Sequence, residues 1–173
     1  GMHIQEELKS GGGVESSSKG DIDASLERLN KLNESTSGYE TASVKRELQE
    51  CMQNYFGVFR RGDFMEKGLN ELAEIRHKVD NLHLKDKSSA FNTSRVEAIE
   101  LQNLFEVAEA TAISAFERNE SRGAHARDDF PDRDDENWLC HSFYDPINKK
   151  VSKREVNFAP TKVDAFPPIV RTY

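Results

Sequence analysis

The chain has 173 residues, with 24 Lys and Arg against 31 Asp and Glu, and a formal net charge of −7. That length holds one domain, or one domain with an appendage. The acidic balance excludes non-specific nucleic-acid binding, which needs a basic footprint, and no apolar run approaches the roughly 18 residues that span a bilayer, so direct membrane insertion is not expected.

Gly1 ahead of Met2 reads as a remnant of tag removal, and no charged-then-apolar leader follows it. Residues 3–8 read as the end of a helix. Residues 9–20 contain three consecutive glycines and three consecutive serines. Such a tract cannot bury apolar surface and is expected to be a mobile linker. Order is expected from Asp21, where Ile22, Leu26, Leu29 and Leu32 recur at helical spacing and predict a short first helix. Gly38 ends the next loop, and Thr41 or Ser43 is the expected cap of the helix after it. In that helix Val44, Leu48, Cys51, Met52, Tyr55, Phe56 and Phe59 form an apolar stripe. It is expected to stop at Arg60-Arg61-Gly62, where cations and a glycine suit a helix carboxyl end.

Asp63 is the expected cap of the third helix, with Glu66 at capping-box spacing. Met65, Leu69, Leu72, Ile75, Val79 and Leu82 supply its stripe. The short connection before it predicts antiparallel neighbours. After a loop over residues 84–92, Thr93 or Ser94 starts the longest helix. Its apolar positions, from Val96 and Ile99 through Phe105, Val107, Ala108 and Ala112 to Phe116, populate more than one face, as in the central member of a bundle. Periodicity changes after Gly123. Residues 124–137 read as an aspartate-rich loop, and residues 138–144 and 151–158 as two strands. The Asp145-Pro146-Ile147-Asn148 turn joins them. A lone hairpin is marginal in water, so it must lie on something. The end of the chain, with Pro160, Pro167 and Pro168, reads as extended.

The fold class that follows is mainly α: an antiparallel, spectrin-repeat-like three-helix bundle preceded by a short helix and followed by a loop, a small β-hairpin and an extended tail. The expected division is a truncated helix end and linker over residues 1–20, a bundle over 21–123, and loop, hairpin and tail over 124–173.

Candidate chemistry is sparse. There is no G-x-G-x-x-G between a strand and a helix, and Gly11-Gly12-Gly13 sits in the serine-rich tract. The acidic run of residues 128–136 lacks the glycine and terminal carboxylate of a calcium loop, so a solvated or ion-paired loop is expected and no metal site. Cys51 is expected to be a buried free thiol. Cys140 and His141 are adjacent in a strand and face opposite ways, which prevents a shared metal. His77 and His83 read as helix-end histidines. His125 between Arg122 and Arg127 is the most enzyme-like cluster: two guanidiniums and an imidazole suit a carboxylate. The alternative is that Glu120, Asp128 and Asp129 neutralise the arginines and the segment shapes a docking loop, and this alternative is preferred. Trp138 reads as a core or interdomain anchor.

The run Glu120-Ser121-Arg122-Gly123-Ala124-His125-Ala126-Arg127, then Asp129-Phe130-Pro131-Asp132-Arg133-Asp134-Asp135-Glu136-Asn137-Trp138, and the ending Phe166-Pro167-Pro168-Ile169-Val170-Arg171-Thr172-Tyr173 resemble the carboxy-terminal signature of succinate dehydrogenase flavoprotein subunits. The resemblance runs from about Asp21 to Tyr173. It implies a parent enzyme that oxidises succinate to fumarate through covalent FAD and passes electrons to an iron–sulfur subunit and quinone. It places that parent on the cytoplasmic side of a bacterial membrane or the matrix side in a mitochondrion. It also implies that residues 3–8 are the tail of the helix leaving a flavin-binding region. The family's catalytic and flavin-binding motifs lie upstream, so no catalytic or cofactor-binding residue, and no bound FAD, is expected in this chain. Glu120, Arg122, His125, Arg127, Arg133 and Trp138 are the expected interdomain docking residues. Their partners would be the flavin-binding region of the same subunit and the iron–sulfur subunit. Fumarate reductase flavoprotein is the near alternative, L-aspartate oxidase fits the acidic run less well, and a stand-alone helical interaction module is the alternative of another class.

Overall fold

A computed structural model describes residues 2–10, 16–166 and 169. The chain is mainly helical, and one antiparallel hairpin follows the helices. α1 covers Met2–Lys9, as the helix-end reading of residues 3–8 anticipates. Residues 11–15 of the expected linker, and Pro167, Pro168 and residues 170–173 of the tail, lie outside the described residues.

Helix α2, Lys19–Glu34, starts inside the stretch expected to be linker. Ser18 accepts from the Asp21 N–H at 3.1 Å and so caps it. Only its far end is packed. Leu32 is buried, whereas Ile22 and Leu26 are exposed, so the expected apolar stripe is mostly not a core stripe. Lys87 ties down its carboxyl end by donating to Leu32 O and Ser35 O.

Three helices form the core. They are α3 (Thr41–Phe56), α4 (Gly62–Asp80) and α5 (Thr93–Glu117), and each packs against the other two. Each presents one face at helical spacing: Val44, Leu48 and Cys51 on α3; Met65, Gly68, Leu72, Ile75 and Val79 on α4; Ala98, Leu101, Phe105, Ala108, Ala112 and Ala115 on α5. Gly68 is required by a close approach, because a Cβ there would lie 2.5 Å from Tyr55 Cβ and 2.6 Å from Phe56 Cε2. Cys51 is a buried free thiol donating to Gly68 O, and burial pushes its pKa up to about 12. α5 meets α3, α4 and both strands of the hairpin, as the breadth of its apolar positions predicts, although Val96 and Val107 of that set are exposed.

The expected caps differ from the observed ones. Thr41 is the first residue of α3 and is buried; Glu40 precedes it without a side-chain cap bond. Asn92, not Thr93 or Ser94, caps α5 by accepting from the Arg95 N–H at 2.8 Å. Asp63 does not cap α4. It lies in the first turn and pairs with Arg61, while Gly62 N donates to Asp129 Oδ2 at 2.9 Å. A carboxylate 67 residues away thus satisfies an orphan amide that local sequence was expected to satisfy.

Short parallel pairings stitch the ends of the helices together. β1 (Tyr39–Glu40) pairs with β3 (Leu82–His83), and β2 (Phe59–Arg60) with β4 (Ala126–Arg127). The second pairing corrects the expected end of α3. The helix stops at Phe56 with Gly57 as its cap, and Phe59 leaves the core stripe for a strand where it is 76% exposed.

After the loop, α6 is a single turn, Asp135–Trp138, capped by Asp134. Trp138 is therefore helical and not the first residue of a strand. β5 (Cys140–Asp145) and β6 (Lys150–Glu155) form the hairpin, joined by a turn in which Asp145 Oδ1 accepts from Ile147 N and Asn148 N. The hairpin lies on α5 through Glu109, a buried carboxylate. It accepts from Tyr144 OH at 3.2 Å and Lys149 Nζ at 2.9 Å, and pairs with Arg76 of α4 at 2.9 Å. Burial opposes the charged form of Glu109, yet Lys149 and Arg76 outweigh it and hold its pKa below the ordinary value. No helix among the described residues is long and apolar enough to cross a membrane.

Candidate functional site

The charged segment singled out by sequence folds against the carboxyl end of α5. Arg122 and His125 exchange backbone hydrogen bonds of 2.8 and 3.0 Å around Gly123 and Ala124. Gly123 has φ +60°, which an L side chain adopts only with strain. That tight turn sets the segment on its course back toward β2.

Three charge centres follow. Glu120, fully buried, is the first. Its carboxylate pairs with Arg118, accepts from Arg122 Nε at 2.8 Å and Arg122 Nη2 at 3.0 Å, and accepts the Asp134 amide at 2.9 Å. Burial alone would raise its pKa, but Arg122, the Asp134 N–H and Arg118 outweigh burial and keep it lowered. Arg118 reaches on to Trp138 O, Cys140 O and Ser142 Oγ, which joins the end of α5 to the start of the hairpin. Arg122 also pairs with Asp135 at 2.6 Å. Its planar fork is thus engaged by carboxylates of its own chain.

Arg127, 3% exposed, is the second centre. Its Nη1 donates to Ala115 O, Phe116 O and Arg118 O, the free carbonyls at the end of α5. Its Nε and Nη2 donate to the two oxygens of Asp129, both at 2.7 Å, and Asp129 receives the Gly62 amide at the start of α4. A cation sits at one helix carboxyl end and its anion at another helix amino end, each on the side that the helix dipoles favour.

His125 is the third. Its neighbour is not the Arg122–Arg127 pair expected from sequence but Arg60, whose Nη1 donates to Nδ1 at 2.7 Å. Its Nε2 lies 3.0 Å from Arg118 O. A guanidinium only donates and a carbonyl only accepts, so the ring is neutral with its proton on Nε2. Burial lowers its pKa first; the Arg118 carbonyl opposes this, and the positive charges of Arg60, Arg127 and Arg118 add to the lowering. A neutral imidazole held at both nitrogens has no free proton to move, which leaves a positioning role.

That lowering has a sign. Below the ordinary histidine value of about 6.5 the unfolded chain takes up a proton that folded His125 refuses. Stability should therefore fall as pH drops from about 6.5 toward the folded pKa. Urea denaturation at pH 7.5 and pH 5.5 checks this, with His125→Gln as reference: the loss on acidification should shrink in the variant, and an unchanged loss would assign it to other groups.

Arg133 donates to Ile169 O and pairs with Asp135 at 2.8 Å, holding part of the tail against the loop. Trp138 is half-buried, with Lys153 Nζ 3.6 Å and the Arg118 guanidinium 5.1 Å from its ring centre. It is a platform for two cations rather than a core residue. Sequence reasoning missed Arg60, Arg118, Asp129 as a cap, and the exposed Phe59. Arg118 and Asp129 lie beside the motif in sequence and were within reach. Arg60 is 65 residues from His125 and carries no local signal.

At the two direct strand-to-helix turns, β1–α3 and β2–α4, Glu40 precedes the first helix and the Asp129 carboxylate occupies the amino end of the second, the positions where a phosphate would otherwise meet helix N–H groups.

A family model described as fumarate reductase flavoprotein C-term matches residues 45–173. The succinate dehydrogenase flavoprotein subunit of Coxiella burnetii is 40% identical over 168 residues, covering 97% of this chain and 28% of that protein. The fumarate reductase flavoprotein subunit of Haemophilus influenzae is 35% identical over 155 residues, covering 88% of this chain and 25% of that protein. Among solved structures, a quinol–fumarate reductase with menaquinol molecules superposes with a TM-score of 0.75 at 31% identity, over 91% of this chain and 28% of that one. The chain thus spans little more than a quarter of the length of these relatives.

Proposed function

Because the chain belongs to the succinate dehydrogenase and fumarate reductase flavoprotein family, matching its carboxy-terminal region, we propose that it is the scaffold and docking part of a succinate dehydrogenase flavoprotein subunit. In this reading the whole subunit oxidises succinate to fumarate at covalent FAD. Electrons then pass to an iron–sulfur subunit and on to quinone. The subunit works as a peripheral part of a membrane-associated complex, on the cytoplasmic or matrix face. Residues 21–123 serve as an antiparallel, spectrin-repeat-like bundle, and residues 124–173 as loop, hairpin and tail laid across its end. The succinate dehydrogenase assignment takes its support from the 40% identity to the Coxiella subunit, against 35% for the Haemophilus fumarate reductase.

The observation that carries the docking role is the contrast between charge and apolar surface at one place. Glu120, Arg122, Arg127 and Arg133 are paired within the chain, so the segment is a rigid frame. Val58 and Phe59 stand out beside it, 70% and 76% exposed, and Phe59 borders the groove formed by Arg122, Gly123, His125 and Arg133. A paired frame beside a protruding aromatic ring is the composition of an interface core with a polar rim. In this reading the flavin-binding region of the same subunit covers Phe59, while His125 and Trp138 fix the frame from behind.

Phe59→Asp tests it. In this chain the substitution should change stability by no more than about 0.5 kcal/mol, as at other exposed positions. In the full-length subunit the same change should lower flavin content or assembly with the iron–sulfur subunit. Normal flavin content and assembly would reject docking through this face. A second expected result concerns the chain alone. It should be colourless and inactive toward succinate; a stoichiometric flavin spectrum, or succinate-dependent dye reduction, would refute the scaffold reading.

A further inference from the structure

Arg60 differs from every other arginine of the charged segment. Arg118, Arg122, Arg127 and Arg133 each hold a carboxylate. Among the described residues none lies within ion-pair distance of Arg60, and the charge that bears on it is the like charge of Arg127. Its Nε donates to Phe56 O at 3.3 Å and Gly57 O at 3.0 Å, and its Nη1 to His125 Nδ1. The carboxyl end of α3 offsets part of the charge, but a half-buried guanidinium without a counter-ion remains costly. The space beside it is an open pocket lined by Arg60, Arg118, His125, His141, Ser142 and Ser114. Every polar side chain in that set is a cation, an imidazole or a hydroxyl, and no carboxylate lines it. Ser142 already receives a bond from Arg118 Nη2 at 3.3 Å, which leaves its own proton to give.

We propose that this pocket is an oxyanion site, taking one carboxylate or phosphate group against the Arg60 guanidinium with Ser142 and Ser114 as further donors and the exposed His141 at its rim. His125, held at both nitrogens, forms its wall. A planar fork with two adjacent donors suits a group that presents two oxygens. Two sources share this chemistry: a free small anion, and an acidic side chain of the longer polypeptide. The site borders the docking face proposed above, but its first test uses this chain alone and stands without that reading.

The probe is inorganic phosphate, titrated at constant ionic strength against chloride while the imidazole resonances of His141 and His125 are followed by NMR. The expected result is a saturable shift of both with phosphate and not with chloride, weakened at least tenfold in Arg60→Gln. Should that variant not fold, Ser142→Ala, which keeps both imidazole reporters, carries the same comparison. No saturable response, or one that Arg60→Gln and Ser142→Ala leave unchanged, overturns the site. Equilibrium dialysis of labelled phosphate against the full-length subunit then names the source. Phosphate bound by the full-length protein and lost in its Arg60→Gln variant marks a free ion. A site open in this chain and closed in the longer one marks an acidic side chain.

Discussion

Replacing Arg127 with methionine should destabilise the chain by about 1.5–3 kcal/mol, the worth of hydrogen bonds made by a charged group, because Arg127 is buried while its partner Asp129 stays exposed to water. Methionine keeps much of the side-chain length and so separates charge and hydrogen bonding from packing. Two losses coincide. Ala115, Phe116 and Arg118 lose the donor to their carbonyls at the end of α5, and Asp129 keeps its place at the start of α4 without its cation. Asp129→Asn should cost less in the Arg127→Met background than in the parent chain, because its ion-pair partner is then already gone. A double-mutant cycle in urea should show coupling of more than about 1 kcal/mol, as expected of groups in one network; additive effects would mean that the pair does not act as a unit.

The same pair fixes a pH signature. The Arg127 guanidinium, aided by the Gly62 amide, holds the Asp129 carboxyl well below the usual carboxylate range. Its contribution is therefore fully present above the unfolded value of about 3.9 and is lost as pH falls below it. With His125→Gln in both backgrounds, so that the Arg127 charge cannot act through His125, the stability gap between the parent and Arg127→Met should stay constant from pH 7 to pH 5 and narrow below pH 4. This window lies apart from that of His125, whose effect begins near pH 6.5.

What could be read from the sequence divides along the range of the interactions. The stripes on α3 and α4 obey helical spacing, so Val44, Leu48, Leu72 and Ile75 were identifiable as core by period alone. The hairpin and its turn follow from local turn chemistry at Asp145-Pro146-Ile147-Asn148. Caps were the weakest inference. A Ser, Thr or Asp near a helix start is a common signal, but Asp63 is outcompeted by Asp129, which tertiary structure delivers to the same amide. Phe59 shows the reverse error. Its spacing continues the α3 stripe, yet Gly57 ends the helix two residues earlier and the pairing with Ala126 turns the ring outward. In the charged segment, the residue types were legible and the pairings were not. Glu120, Arg122 and Arg127 lie close in sequence, but the parallel pairing of β2 with β4 is what brings Arg60, rather than Arg122, onto His125.

Leu72→Ala should cost about 2–5 kcal/mol, the range for truncating a buried leucine. Leu72 is 2% exposed at the middle of the α4 face that runs Met65, Gly68, Leu72, Ile75, Val79. That face meets both α3 and α5. One turn before it, Gly68 lets Tyr55 and Phe56 of α3 come so close that even a methyl group would clash. Backbones held this near leave little freedom to collapse into a vacated leucine volume, which places the cost toward the upper part of the range. Leu104 on α5, 42% exposed, is the matched control. Leu104→Ala keeps the same chemistry and a slightly better helix former, and should move stability by less than about 0.5 kcal/mol. If chemical denaturation gave Leu72→Ala the same small change as Leu104→Ala, the α4 stripe would not be facing the other two helices. If both were costly, the exposed face of α5 would be packed in solution against something other than the residues described here.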